Sequence, residues 1–207
     1  FNLMKPLDDV RAQYATGDAP VREERSHSYT VVKHIPELIE LVETLKTKEM
    51  VAFDLETTSL DVLTTEIVGL SFAWEANSAV YIAVKYPNPP DGCFTADDIG
   101  IVLRELKPFW ESETIKKTGH NLKFDLSVLK SYGINVSGVG FDSQIAGYLV
   151  NPGGRGYGMN DLSVQYLGID PIHIEELIGK GKEQITMDLV TLDVISEYAA
   201  EDADISF

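Results

Sequence analysis

The segment Met50-Val51-Ala52-Phe53-Asp54-Leu55-Glu56 decides the fold, because it is an apolar run that ends in two carboxylates. Its composition predicts a buried β-strand from Met50 to Leu55. Residues two apart on a strand face the same side, so Asp54 and Glu56 share one face of the sheet. Most Asp-x-Glu triplets lie at surface strand ends or turns. The place of this one, at the end of an apolar strand, indicates a central strand.

The remaining sequence predicts an α/β domain built around this strand. Two further apolar runs follow at 67–73 and 79–84, which gives three consecutive strands. After a capped helix between Thr95 and Pro108, strands at 114–118 and 139–141 alternate with helices at 121–132 and 143–150, in the order βββαβαβα. A short β-branched run at 29–32 and an amphipathic helix from Ile35 to Leu45 precede this set.

The bulk composition limits the classes of function. With 207 residues, 44% of them hydrophobic, the chain can bury one core, so we expect one domain at 28–207 after a linker or docked arm at 1–27. The net charge of −16, from 17 basic and 33 acidic residues, argues against a protein that coats duplex DNA, because that binding needs Lys and Arg on the phosphates. The negative charge does not argue against an enzyme that binds divalent cations and uses them to cut DNA.

Cysteine content and hydropathy indicate the compartment. The single cysteine, Cys93, excludes an internal disulfide and fits a reducing cytoplasm. No window approaches the roughly 18 apolar residues that a membrane-spanning helix needs. We therefore expect a cytoplasmic protein without a membrane partner.

A further acid interrupts the apolar face of the helix predicted at 121–132. Asp125 lies between leucines of that face, and Asn121 stands at the helix start. Two ordinary explanations stay open, namely a boundary residue paired with Lys123 and a capping role for Asn121.

The last predicted helix shows the same pattern. Its inner stripe at i, i+3, i+4 spacing consists of Ile195, Tyr198, Ala199, Asp202 and Ile205. An unpaired charge on such a face would be costly to bury. Tyr198 lies one turn before Asp202, so its hydroxyl can reach a water near that carboxylate. A salt bridge for Asp202 and a plain core role for Tyr198 are the alternatives.

A single divalent-metal site would account for the acids on all three elements. Carboxylates inside a fold repel one another and are poorly solvated, whereas divalent cations hold such an arrangement together. In a two-metal phosphodiesterase site, the cations activate water and neutralise the phosphate at a separation of about 3.5 to 4 Å. The sequence therefore predicts two Mg²⁺ or Mn²⁺ ions bound by the metal ligands Asp54, Glu56, Asp125 and Asp202. Tyr198 would orient the attacking water.

Three motifs in the chain resemble those of a known exonuclease family. They read Phe53-Asp54-Leu55-Glu56-Thr57-Thr58-Ser59-Leu60, Gly119-His120-Asn121-Leu122-Lys123-Phe124-Asp125 and Tyr198-Ala199-Ala200-Glu201-Asp202-Ala203-Asp204. Together with the turn Gly179-Lys180-Gly181-Lys182, they are similar to the proofreading 3′-5′ exonuclease domains of bacterial family A DNA polymerases (the DNA polymerase I family). That exonuclease group is named for its four acids and a tyrosine, and the resemblance spans most of the chain.

The resemblance implies a role for each matched residue. Asp54 would bridge both metals, and Glu56 and Asp202 would complete the first metal site. Asp125 would hold the second metal through water, and Tyr198 would be the catalytic phenol that positions water. The nucleic-acid-binding positions, which line the 3′-terminal nucleotides in the family, are Thr57, Leu60, Asn121 and Phe124. Leu60 would act among them as an apolar wedge, whereas Ile174 replaces an aromatic residue that grips the terminal base, which predicts weaker gripping.

The resemblance also implies a fold and a context. The fold is expected to be ribonuclease H-like, a mixed five-stranded sheet with helices on both sides. A 5′-nuclease domain would precede the arm at 1–27, and a polymerase domain would follow Phe207, which would truncate the last helix. The expected partners are a single-stranded or frayed DNA 3′ end and that polymerase domain, in a monomeric protein of the bacterial cytoplasm.

Two other functions stay open. Ribonuclease D relatives carry the same acids and tyrosine, so an RNA 3′ end is a possible substrate, and recognition of the 2′-hydroxyl depends on pocket shape. Leu60 and the Gly-Lys-Gly-Lys turn favour DNA, because they resemble the polymerase branch of this exonuclease group. A non-catalytic acidic module that spaces domains or binds a partner is also compatible with the composition.

Overall fold

The computed structural model describes residues 26–154 and 156–207, so the predicted arm at 1–27 lies outside the described residues except for its end. A six-stranded sheet forms the centre of the described part. Its strands are β1 Ser28–Val32, β2 Met50–Thr57, β3 Ile67–Glu75, β4 Ser78–Ala83, β5 Lys116–Gly119 and β6 Val139–Asp142.

The strands lie in the order β1-β4-β3-β2-β5-β6. The meander β2-β3-β4 is antiparallel, whereas β1 with β4, β2 with β5, and β5 with β6 pair in parallel. The predicted α/β class and mixed sheet are confirmed. The predicted number of five strands is one too low, because β1 extends the sheet beside β4. Strand β2 is central, as its apolar run indicates.

Helices cover both faces of the sheet. They are α1 Ile35–Leu45, α2 Ile99–Glu105, α3 Lys107–Trp110, α4 Leu122–Ser131, α5 Ser143–Val150, α6 Met159–Leu162, α7 Ile174–Ile178 and α8 Leu192–Ser206. Short helical turns lie at Ala96–Asp98, Ser163–Leu167, Gly181–Glu183 and Met187–Leu189. Among the described residues, no helix is both long and apolar enough to cross a membrane.

The main core lies on the sheet face opposite the acids of β2. Phe53 and Phe72 of this face pack against Phe109 and Trp110 of α3, with ring centroids 4.8 to 5.6 Å apart. Helices α1, α2 and α4 add their buried leucines and valines to the same cluster. This core packs against one face of β2 and holds the strand in place. The acids on the other face therefore project from a rigid strand.

The opposite face of the sheet is lined by small residues. Ala52, Ala73 and Ala79 of the sheet pack against Ala200 and Ala203 of α8 in one buried cluster. Small side chains on both partners allow the helix to lie close to the strands. This close approach brings a side chain of α8 level with the carboxylates of β2.

The C-terminal part of α8 is anchored by a buried aspartate. Asp204 accepts a hydrogen bond from the Tyr29 hydroxyl of β1 at 2.7 Å and another from the backbone N–H of Asn77, also at 2.7 Å. Asn77 lies in the β3–β4 turn with a φ of 60°. The anchor therefore fixes α8 against β1 and against the turn that joins β3 to β4.

Candidate active site

Three buried or half-buried carboxylates meet where α8 crosses the end of β2. Asp54, Glu56 and Asp202 each offer an oxygen, and these oxygens all lie within 4.8 Å of one another. Asp54 and Glu56 project from one face of β2, as the alternation of the strand requires. Asp202 comes from the buried side of α8. The predicted meeting of these side chains from two distant segments is thus present in the structure.

Asp125 lies buried on α4, beside this group of three. Asp54 interacts electrostatically with Glu56, Asp125 and Asp202, and Glu56 likewise interacts with all three other acids, which joins the four into one set. Among the described residues, Lys123 forms no ion pair with Asp125, and Asp125 is buried rather than at the boundary of the core. Asp125 therefore belongs to the same acidic site, at its periphery.

Burial and mutual repulsion make the ionised acids unfavourable without a counter-charge. The exposed fractions of Glu56, Asp125 and Asp202 are only 5%, 3% and 7%. Desolvation raises the pKa of Asp54 to about 7. Desolvation also raises the pKa of Glu56 well above its usual value, and repulsion by Asp54, Asp202 and Asp125 adds to the increase. Burial followed by the charge of Asp54 raises the pKa values of Asp125 and Asp202 in the same way.

Tyr198 stands next to Asp202 on α8. Its hydroxyl hydrogen-bonds the Asp202 carboxylate, and its pKa is raised by burial and then by the charges of Asp202, Glu56 and Asp54. The phenol therefore stays protonated and keeps a hydrogen to donate at the acidic site. The plain core role considered for Tyr198 does not describe this contact, because its polar end faces the carboxylates.

The acidic site has the chemistry of a divalent-metal site. Carboxylate oxygens are the ligands that Mg²⁺ and Mn²⁺ prefer. The Oε1 atom of Glu56 is buried and has no hydrogen-bond partner among the residues that the structure describes. Within residues 26–154 and 156–207, no Lys or Arg forms an ion pair with the four acids. A bound cation would satisfy Glu56 and offset the repulsion, so the residues present fit metal binding.

The start of α4 is held by a residue that sequence reasoning missed. Asn121 precedes the helix in a left-handed conformation, with φ of 55°, and its side chain makes no capping hydrogen bond, so the suggested capping role is wrong. The Oδ2 atom of Asp142 instead accepts a hydrogen bond from the Leu122 N–H at 2.8 Å. Its Oδ1 atom accepts from the Gln144 N–H and so caps α5. The sequence signal was an Asp directly before a helix, a typical N-cap.

The four predicted nucleotide-contacting residues differ in how far their side chains are exposed to solvent. Leu60 is 87% exposed on the loop after β2, Asn121 is exposed, and Thr57 is half-buried with its hydroxyl donating to the Ser59 carbonyl. Phe124 is half-buried and packs against the main core. Exposure leaves Leu60 and Asn121 available to a ligand, whereas Phe124 can offer only part of its ring.

In the Gly-Lys-Gly-Lys turn, Gly179 is half-buried and the other three residues are exposed, and both glycines have positive φ. Ile174 begins α7 and is 40% exposed. The preceding loop is tied to α8, because the Glu201 carboxylate accepts a hydrogen bond from the Ile172 N–H at 2.6 Å. A contact to α8 beside Asp202 thus fixes the loop that carries Ile174.

Comparison with known proteins identifies the family to which the chain is similar. A family model described as 3′-5′ exonuclease matches residues 29–207. DNA polymerase I of Pseudomonas aeruginosa is 34% identical to this chain over 204 residues, which cover 97% of the chain and 22% of the polymerase. The chain spans about a fifth of the length of the curated relatives it matches.

Two solved structures share the fold. Ribonuclease D of Trypanosoma brucei superposes with a TM-score of 0.69 at 16% identity, over 87% of this chain and 62% of that chain. NrnC of Brucella melitensis with bound Mg²⁺ gives a TM-score of 0.58 at 17% identity, over 88% and 77% of the two chains. The similarity confirms the predicted ribonuclease H-like arrangement of the sheet and helices.

Proposed function

The chain belongs to the family of 3′-5′ exonuclease domains of DNA polymerase I, and we propose that it removes nucleoside 5′-monophosphates from single-stranded or frayed DNA 3′ ends in a metal-dependent reaction. The observation that carries the proposal is the convergence of Asp54, Glu56 and Asp202 within 4.8 Å, with Asp125 and Tyr198 beside them. In the full-length protein, a polymerase domain of the same chain would supply the 3′ ends.

The proposed ligand set divides the acids between two metals. As in the family it resembles, Asp54 would hold both cations, Glu56 and Asp202 would complete the first site, and Asp125 would serve the second. When bound, Mg²⁺ or Mn²⁺ supplies charge that stabilises the phosphate and the leaving oxygen. The four acids would keep the cations in place, and burial of Glu56, Asp125 and Asp202 holds these carboxylates in fixed positions.

Tyr198 and the surface residues would position the reactants. The Tyr198 hydroxyl, whose hydrogen points to Asp202, would accept a hydrogen bond from the water that attacks the terminal phosphodiester and so orient it. Leu60 projects from the loop after β2 and would contact the last bases as a wedge, with Thr57, Asn121 and Phe124 around the terminal nucleotides. Such positioning lowers the barrier because the reacting atoms meet in the correct orientation.

The proposed function is tested with a 5′-labelled single-stranded DNA oligonucleotide. With Mg²⁺, we expect a ladder of products that shorten from the 3′ end, together with release of nucleoside 5′-monophosphates. Chelation of the metal should stop the reaction. Absence of cleavage in Mg²⁺ and in Mn²⁺, shortening from the 5′ end, or activity that persists after chelation would contradict the proposal. No cleavage combined with no Mn²⁺ binding would favour the acidic-module alternative.

Replacing Tyr198 with phenylalanine tests the water-positioning role. The ring and its packing remain, but the donor at Asp202 is lost, so we expect kcat to fall by about 10²-fold, the size of effect expected for misplaced reactants. Because the donor to Asp202 is also lost, Mn²⁺ affinity is measured by calorimetry, and kcat is compared at saturating metal so that weaker binding does not account for the fall. Tyr148→Phe is the matched control, because Tyr148 is exposed on α5 and packs against Tyr157. Equal rates for Tyr198→Phe and wild type would remove Tyr198 from the mechanism.

An RNA 3′ end is the second candidate substrate, since the fold is shared with a ribonuclease D. The family match to DNA polymerase I favours DNA. Matched DNA and RNA oligonucleotides of one sequence should be compared under identical Mg²⁺ concentrations. We expect a higher kcat/KM for DNA, and a higher value for RNA would assign the chain to exoribonuclease chemistry.

A further inference from the structure

Tyr81 of β4 shares the sheet face that carries the acids. It is 1% exposed and ranks among the largest fully buried side chains of the described residues. Tyr81 pairs with Ser71 of β3, and Ser71 pairs with Asp54 of β2. Side chains at directly paired positions point to the same face of a sheet. The backbone of Tyr81 therefore lies two strands away from Asp54, and its side chain points to the same face of the sheet.

The side chain of Tyr81 extends across β3 toward β2. A Cβ added at Gly69 would overlap the Tyr81 hydroxyl and the ring carbon that carries it. Gly69 is the residue that pairs with Glu56. The phenol thus occupies the place where the cross-strand partner of Glu56 would otherwise carry its own side chain. Cross-strand neighbours on one face are in contact distance, so the Tyr81 hydroxyl lies beside Glu56.

The phenol and the carboxylate are chemically complementary. The phenol of Tyr81 carries one hydroxyl hydrogen, which it can donate to a carboxylate. The Oε1 atom of Glu56 is buried and has no hydrogen-bond partner among the described residues. A carboxylate that binds a metal keeps lone pairs for further donors, and such outer donors orient metal ligands.

We propose that Tyr81 is a positioning residue for Glu56, and that its hydroxyl donates a hydrogen bond to the Glu56 carboxylate when Glu56 binds a divalent cation. The inference rests on the proposed function, because it requires Glu56 to be a metal ligand. It also explains Gly69, since any larger residue there would displace the phenol from Glu56. Tyr81 acts through Glu56 and has no contact with substrate, which separates its role from that of Tyr198.

The test is calorimetric titration of Mn²⁺ into the wild-type chain and into Tyr81→Phe. The substitution keeps the buried ring and removes only the hydroxyl. We expect the Kd for Mn²⁺ to rise by about 10- to 100-fold, the usual effect of losing an outer donor to a metal ligand. Tyr86→Phe is the matched control, because Tyr86 lies in the same buried cluster and its hydroxyl lies beside the Cys93 side chain rather than an acid of the site.

Four outcomes of the Mn²⁺ titrations bear on the role of Tyr81. A higher Kd for Tyr81→Phe, with Tyr86→Phe equal to wild type, supports the role. An unchanged Kd for Tyr81→Phe overturns it, while the proposed function stands if wild type binds Mn²⁺. Equal weakening in both variants assigns the effect to core packing and also overturns it. No Mn²⁺ binding by wild type overturns the proposed function together with the inference.

A kinetic readout separates positioning from general damage to the fold. In Tyr81→Phe, the Mg²⁺ concentration for half-maximal activity should rise in parallel with the Mn²⁺ Kd, and kcat at saturating Mg²⁺ should recover most of its wild-type value. Tyr198→Phe should differ in that its kcat stays low at saturating Mg²⁺, because the lost hydroxyl positions the water. A lower kcat for Tyr81→Phe that saturating Mg²⁺ does not restore would contradict a role exerted through the metal ligand.

Discussion

Replacing Asp54 with alanine is expected to reduce the rate of 3′-terminal hydrolysis by a factor on the order of 10⁴, because several kcal/mol of charge stabilisation would be lost. The physical reason is the position of Asp54. It interacts with Glu56, Asp125 and Asp202 alike, so removing it takes away the ligand that both metals would share. The measurement is a single-turnover assay with a 5′-labelled oligonucleotide at saturating Mg²⁺.

The control for this variant is Asp97→Ala. Asp97 is an exposed acid in the Ala96–Asp98 turn, away from the four acids, so the change alters the net charge equally without touching the site. We expect the control to cleave at the wild-type rate. Asp54→Ala should also lose most of its Mn²⁺ binding in calorimetry. A variant that keeps the wild-type ladder would reject the assignment of Asp54.

The second large expected effect is a loss of stability of the metal-free protein as the pH rises. The four acids have folded-state pKa values above their ordinary values, and that of Asp54 is raised from 3.8 to about 7. Groups of this kind bind more protons in the folded than in the unfolded state, so their contribution is fully present below pH 4 and is lost as the pH passes the folded pKa. For Asp54 the window is therefore about pH 4 to 7.

The size of this effect follows from the shift. At about 1.4 kcal/mol per pKa unit, Asp54 contributes at most about 4 kcal/mol to the change in unfolding free energy, and its partial exposure reduces this value. The melting temperature in a chelator should fall by about 5 to 15 °C between pH 4 and pH 8. Mg²⁺ or Mn²⁺ should restore much of the loss at pH 8, because a ligand that binds only the folded state stabilises it.

Asp54→Asn separates the site from the general acidity of the chain. The net charge of −16 also produces repulsion that grows with pH, and the variant retains nearly all of it. We expect the variant to show a shallower fall in melting temperature and a smaller gain from Mg²⁺. A wild-type melting temperature that is independent of pH in the chelator, or the same slope in both proteins, would contradict a buried site of repelling acids.

Local sequence periodicity was enough to predict which faces carry the acids. Alternation along β2 placed Asp54 and Glu56 on one side, and the helical stripe placed Tyr198 and Asp202 together on α8. Both predictions hold in the structure because each depends only on the geometry of one element. The α/β class followed in the same way from the order of apolar runs.

Three structural features that depend on pairing between distant segments were not predicted. Whether the run at 29–32 joins the sheet depends on a parallel pairing between β1 and β4, across the whole meander, which no local pattern specifies. The hydrogen bond from the Leu122 N–H to Asp142 spans two elements for the same reason. The position of the Tyr81 side chain over Gly69 depends on the register of the sheet, which only the assembled sheet defines.

The most direct test of the shared metal site is a crystal of the chain soaked in Mn²⁺ and examined by anomalous scattering. We predict two peaks about 3.5 to 4 Å apart, one among the carboxylates of Asp54, Glu56 and Asp202 and the other between Asp54 and Asp125. Saturating Mn²⁺ that leaves these four side chains without a peak, or that binds only elsewhere on the acidic surface, would contradict the account.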